Sequence, residues 1–107
     1  MARGTRPRWT RKEHLAVLYL KIEYGEELSH YHNLEVVVAL SKALHRSIDS
    51  IYMRKASFDA LDSSVPGKGH SSTGKSTEEI WDEYQSNPTL VFDEAKRAYQ
   101  DFVASDF

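Results

Sequence analysis

Apolar residues recur at three- and four-residue spacing along most of this chain, and the helix is the element that gathers such positions onto one face. Leu15, Leu18, Tyr19 and Ile22 form one such run. Leu34, Val37, Val38, Leu40, Ala43 and Leu44 form a second, and Ile48, Ile51, Tyr52, Phe58 and Leu61 a third. Ile80, Trp81 and Tyr84 continue a fourth, and a fifth from Leu90 to Phe102 places Leu90, Phe92 or Val91, Ala95, Ala98, Tyr99 and Phe102 inward. The spacing predicts an all-α fold of about five helices without an internal repeat.

Local signals set the boundaries. Thr10 followed by Glu13 is a capping box, each side chain placed to bond the other's backbone N–H, with Trp9 packing over the first turn. Helix 1 should end at Gly25 and give way to a polar loop with some helical turn over residues 26–32. Asn33 is the expected N-cap of helix 2 and Ser47 that of helix 3. His45-Arg46-Ser47 alone separates those two helices, the short connection that a helix-turn-helix needs. Residues 63–75, dense in Ser and Gly, read as a flexible loop, and Ser76-Thr77-Glu78-Glu79 as a second capping box. Asn87-Pro88 should break the chain before the last helix. The organisation expected is a basic arm over residues 1–9 and one helical domain over 10–104.

The chain has 107 residues and no cysteine, which leaves one modest core and excludes disulfides, thiol catalysis and Cys-based metal sites. With no apolar run near the length of a membrane span and no signal-peptide pattern, a cytoplasmic protein is expected. The net charge of −2 hides an asymmetry. Residues 1–58 carry ten Lys/Arg against six Asp/Glu, and residues 59–107 four against ten, so the halves stand at +4 and −6. A basic half joined to an acidic half suits a protein that presents one face to a polyanion.

Gly69-His70-Ser71-Ser72-Thr73-Gly74-Lys75-Ser76 matches the phosphate-binding loop G-x-x-x-x-G-K-S/T. That loop needs a buried strand before it and a second strand ending in Asp for magnesium. Neither is present, so nucleotide hydrolysis is not expected. What the string retains is a set of phosphate contacts, with Lys68, His70 and Lys75 available to a nucleic-acid backbone. A minimal phosphate-binding protein built on residues 69–76 is the corresponding separate reading. His30 and His32 near Glu26 and Glu27 lack a third ligand at defined spacing, so no metal and no cofactor are expected.

The remaining basic residues have a clearer use. Arg3, Arg6, Arg8, Arg11 and Lys12 form an arm of the kind that lies in a minor groove or along phosphates. On helix 3 the apolar positions point inward and leave Asp49, Ser50, Met53, Arg54 and Ser57 outward, with Tyr52 at the boundary. Arg54 can donate two bonds to a guanine edge or pair with a phosphate, and Ser50 and Ser57 can reach either.

Taken in order, Trp9-Thr10-Arg11 with Glu13, Leu44-His45-Arg46-Ser47 with Ile51-Tyr52-Met53-Arg54, Phe58 with Leu61-Asp62, and Ile80-Trp81-Asp82-Glu83-Tyr84 resemble a known pattern. It is that of the small helical domain found in front of HNH endonuclease domains in bacterial restriction-type proteins. The resemblance implies an accessory DNA-binding or target-reading role beside a nuclease, with modified DNA among the conceivable targets and phage defence as the setting. It places Arg46, Ser47, Met53 and Arg54 on the turn and recognition helix, and Trp9, Phe58, Trp81 and Tyr84 in the core. Three positions depart from the family pattern. His45 stands where the family has Gly, and Lys55 and Ser57 stand where it tends to have an apolar residue and Asn. His32-Asn33 lacks the second His and the metal frame of an HNH site, so this chain alone is not expected to cut DNA.

The expectation is therefore a non-catalytic domain that binds double-stranded DNA through its arm, helix 3 and the 63–75 loop, with a nuclease domain in cis or in trans. The alternative is a protein-interaction or dimerisation module presenting a patch around Tyr19, Tyr24 and Tyr31.

Overall fold

The computed structural model describes residues 8–30, 34–62 and 74–105. Its five helices are α1 (Arg11–His30), α2 (Glu35–Leu44), α3 (Ile48–Leu61), α4 (Lys75–Ser86) and α5 (Pro88–Ser105), with no strand among the described residues. The all-α expectation holds.

α1 is the central helix. Residues 14–21 are buried without interruption, so α1 is covered on all sides rather than along the single stripe its spacing suggested. It touches each of the other four helices and lies most extensively along α5. The Thr10 box forms as expected: Thr10 N–H donates to Glu13 Oε1 at 2.8 Å and Glu13 N–H to Thr10 Oγ1 at 3.2 Å. The helix does not end at Gly25. It kinks at Tyr24 (φ −124°, ψ 16°) and continues to His30, so residues 26–30 are helix where a loop with some helical turn was expected. Glu26 and Glu27 are good helix formers, and Leu28, buried in the core, anchors the added segment.

α2 begins after Leu34, with no side-chain cap; Asn33 lies outside the described residues. Its end is a Schellman turn. Arg46 N–H donates to the Ser41 carbonyl at 3.1 Å and His45 N–H to the Lys42 carbonyl at 3.3 Å, with His45 in the left-handed region (φ 57°, ψ 42°). Glycine normally fills that place because a Cβ is strained there. Ser47 then caps α3 as expected, accepting from Ser50 N–H at 3.1 Å.

α4 starts earlier than the expected second capping box. Gly74, at φ 90° and ψ 141°, is its N-cap, so Ser76 and Thr77 lie inside the first turn. Thr77 falls in register with Ile80 and Trp81 and is fully buried with them. Asn87 ends α4 and Pro88 opens α5, where its missing N–H costs nothing. On α5 the inward stripe is Val91, Ala95 and Ala98. Leu90, expected to point inward, is turned about 100° from Val91 and is 62 % exposed.

Phe58 and Trp81 are core residues, while Trp9 and Tyr84 pack against the core only partly buried. Tyr19 is buried against Tyr24, Phe92 and Tyr99, with ring centroids 6.1, 5.7 and 5.2 Å away. It belongs to the core and not to an exposed tyrosine patch; Tyr31 lies outside the described residues. A buried ion cluster sits beside Trp81, whose ring centroid is 5.6 Å from Lys21 Nζ. Lys21 Nζ lies 2.9 Å from both Asp59 Oδ1 and Asp62 Oδ2, and Lys55 Nζ 2.7 Å from Asp59 Oδ2. Burial opposes the charge on Lys21, but hydrogen bonds to Asp59 and Asp62 outweigh it and hold its pKa above the ordinary value.

Candidate nucleic-acid interface

The N-terminal turn of α1 is tied to the α2–α3 connection through Glu13 and Trp9. Glu13, held in place by its capping bond, accepts from Arg46 Nη2 at 3.2 Å. The Arg46 guanidinium lies 4.4 Å from the Trp9 ring centroid and that of Arg54 4.9 Å. Cation–π attraction of this kind strengthens with desolvation. Trp9 also stacks at 5.6 Å on His14, which is buried. One aromatic ring therefore gathers two arginines and a histidine from α1, the connection and α3.

Beside this node a cleft of about 320 Å³ opens between the start of α1, the middle of α3 and the start of α4. Arg8, Trp9, His14, Arg54 and residues 74–77 line it, with no carboxylate among the described lining residues. Arg8 and Lys75 are exposed and Arg54 is half-buried. Burial, then the nearby Arg46 charge, works against the charge on Arg54 and pulls its pKa down. Its Nε is buried without a hydrogen-bond partner among the described residues, as are His14 Nδ1 and Thr77 Oγ1. Burial, then Arg54 and then Arg46, pull the His14 pKa down to about 4, with Glu13 opposing, so the imidazole is neutral near pH 7. The cleft thus joins positive charge to unsatisfied polar groups, a combination that favours an anion.

The other basic residues expected at a DNA surface are engaged elsewhere. Arg11 makes two bonds to Glu83, at 2.8 and 2.9 Å, and reaches Glu94 at 3.2 Å. Lys12 lies 3.3 Å from Asp101 and over the ring of Phe102. The Arg11–Glu94 and Lys12–Asp101 pairs line a second cleft of about 330 Å³, to which Arg97 also contributes. Acidic residues of α4 and α5 therefore neutralise the front of α1. Arg46 is buried and holds the turn.

On α3, Met53 is 72 % exposed, and Ser50, Tyr52 and Ser57 are partly exposed. Ser47 and Ser50 share a hydroxyl bond at 3.0 Å, and Ser57 donates to the Met53 carbonyl at 3.3 Å. The structure thus brings Arg54 and Lys75 together with Arg8, and leaves Arg11 and Lys12 apart from them. Arg3, Arg6, Lys68, His32, His70 and the side chain of His30 lie outside the described residues. Among the described residues no group of His, Asp and Glu is placed to hold a metal, and no helix is long and apolar enough to cross a membrane.

His14 and Thr77 are the site residues that sequence reasoning missed, while Gly74 belonged to the 69–76 string already read for phosphate. Thr77 carried a usable signal, since it precedes Ile80, Trp81 and Tyr84 by three, four and seven residues and so sits on an apolar stripe. His14 stands likewise four residues before Leu18.

No protein-family model matches the chain, and no curated protein and no solved structure is significantly similar to it.

Proposed function

We propose that this chain is a helix-turn-helix-like domain that binds double-stranded DNA. Its role would be accessory, or target-reading, in a restriction-type HNH endonuclease, with the nuclease domain in cis or in trans and no catalysis of its own. The observation that carries the reading is the cleft in which Arg8, Arg54 and Lys75 converge without a carboxylate, next to the outward face of α3. Phosphate contacts fix a protein on a duplex, and base edges are read from the element they position. Here the cations flank α3, whose exposed Met53 and partly exposed Ser50 and Ser57 offer one apolar and two hydrogen-bonding contacts to a groove. Arg46 supports this indirectly, by fixing the turn against Glu13 and Trp9.

The test is fluorescence anisotropy with a mixed-sequence duplex across a salt series. Arg8, Arg54 and Lys75 together give a slope of about −3 in log affinity against log salt, and Arg8→Ala or Lys75→Ala lowers its magnitude by about 1 each. Absence of binding at low salt refutes the reading. Exposed Leu90, beside Asp82 and Ser86 in a third cleft, favours the second reading of a protein-interaction module. That reading expects binding that salt leaves unchanged.

A further inference from the structure

The cleft holds more than surface charge. Gly74 occupies the cap position of α4 with no side chain to offer, and its backbone (φ 90°, ψ 141°) is one that other residues rarely adopt. The amides of Lys75, Ser76 and Thr77 have no intrahelical acceptor, because the first bond of the helix runs from Glu78 N–H to the Gly74 carbonyl at 3.1 Å. A helix start of this kind attracts an anion only in a general way. Two buried side chains make it specific. Thr77 is 0 % exposed and His14 3 % exposed, and among the described residues neither Thr77 Oγ1 nor His14 Nδ1 has a hydrogen-bond partner. Both line the cleft. A Cβ on Gly74 would lie 3.8 Å from Thr77 Oγ1, which places that hydroxyl directly behind the cap. An unsatisfied buried hydroxyl costs stability, so a protein that keeps one in an anion-attracting cleft has a reason to keep it.

The structure assigns this cleft as a site for a single phosphate group, held by the first amides of α4, the Thr77 hydroxyl, and the Arg54 and Lys75 side chains. A phosphate presents several acceptor oxygens and at least one full negative charge. That matches a set with amide and hydroxyl donors beside two cations better than a carboxylate does. The group can come from the backbone of a duplex or from a free phosphorylated compound. In naming the duplex as its source, the assignment rests on the DNA-binding reading; as a phosphate site it stands alone. The sequence string ending Gly74-Lys75-Ser76 supplies the helix start, while His14 and Arg54 arrive from α1 and α3.

The experiment uses the full chain labelled with ¹⁵N, titrated with inorganic phosphate and, at matched ionic strength, with acetate or chloride. Phosphate should move the Ser76 and Thr77 amides saturably, and acetate should not. Thr77→Val keeps the shape and removes the hydroxyl. It should weaken phosphate binding by about tenfold or more while the melting temperature without phosphate stays level or rises, which separates lost recognition from lost folding. No saturable shift, an equal response to acetate, or a Thr77→Val variant that binds phosphate like the parent each overturns the assignment. The same variant is then titrated with duplex. Weakened duplex binding identifies the DNA backbone as the source, and phosphate binding in a chain that binds no duplex identifies a free phosphorylated compound. Duplex binding unaltered by Thr77→Val, with no phosphate response, overturns the assignment and leaves the DNA reading standing.

Discussion

His14 offers a quantitative test of how the α1 node is built. It is 3 % exposed, and burial together with the charges of Arg54 and Arg46, against the opposing Glu13, lowers its pKa from 6.5 to about 4. Between those values the unfolded chain binds a proton that the folded chain does not. Stability from this group is therefore complete above pH 6.5 and falls as the pH drops toward 4. Between pH 7.5 and pH 5 the loss comes to about 2 kcal/mol, which moves a urea midpoint by about 1 M. The measurement is urea unfolding followed by far-ultraviolet circular dichroism at both pH values, for the parent, His14→Phe and His14→Asn. The two replacements differ in size and polarity and neither titrates, so both should lose about 2 kcal/mol less than the parent over the interval. Equal losses in all three proteins would show that His14 is not held neutral, and the burial argument at the cleft would fail with it.

Other perturbations follow from the same packing. His45→Gly relieves the left-handed strain at the end of α2 and should raise stability by about 0.5–1 kcal/mol in thermal unfolding; a loss would mean that the exposed imidazole makes a contact worth more than the strain. Lys21→Met leaves the buried Asp59 without one of its two cations and should cost about 3–5 kcal/mol by denaturant titration. A cost under about 1 kcal/mol would show the cluster to be solvated. Thr77→Val should gain about 1 kcal/mol in the phosphate-free chain, since it removes an unsatisfied buried hydroxyl, and a loss would reveal a partner for that group.

The fold was largely legible because helical spacing and capping chemistry are local. The Thr10 and Glu13 box, the Ser47 cap and the break at Asn87-Pro88 rest on neighbours a few residues apart, and each formed. The misreadings came from tertiary packing. Residues 26–30 look polar until Leu28 finds the core, and Leu90 looks like core until Val91 takes the inward place. The site was legible only in part for the same reason. Charge counting marks Arg11 and Lys12 as free cations, yet Glu83, Glu94 and Asp101, which neutralise them, lie more than seventy residues along the chain. Arg46 reads as a surface contact until Trp9 and Glu13 bury it. Arg54 and Lys75 were named from sequence, but their convergence with Arg8, His14 and Thr77 depends on how α1, α3 and α4 meet, which no short-range pattern encodes.

The central claim is that DNA meets the cleft and α3, and a duplex titration of ¹⁵N-labelled protein at low salt tests it most directly. Amides of residues 8 and 9, 50–57 and 74–77 should shift together and revert as salt is added. Shifts confined to the exposed side of α5 around Leu90, or none at all, would contradict it.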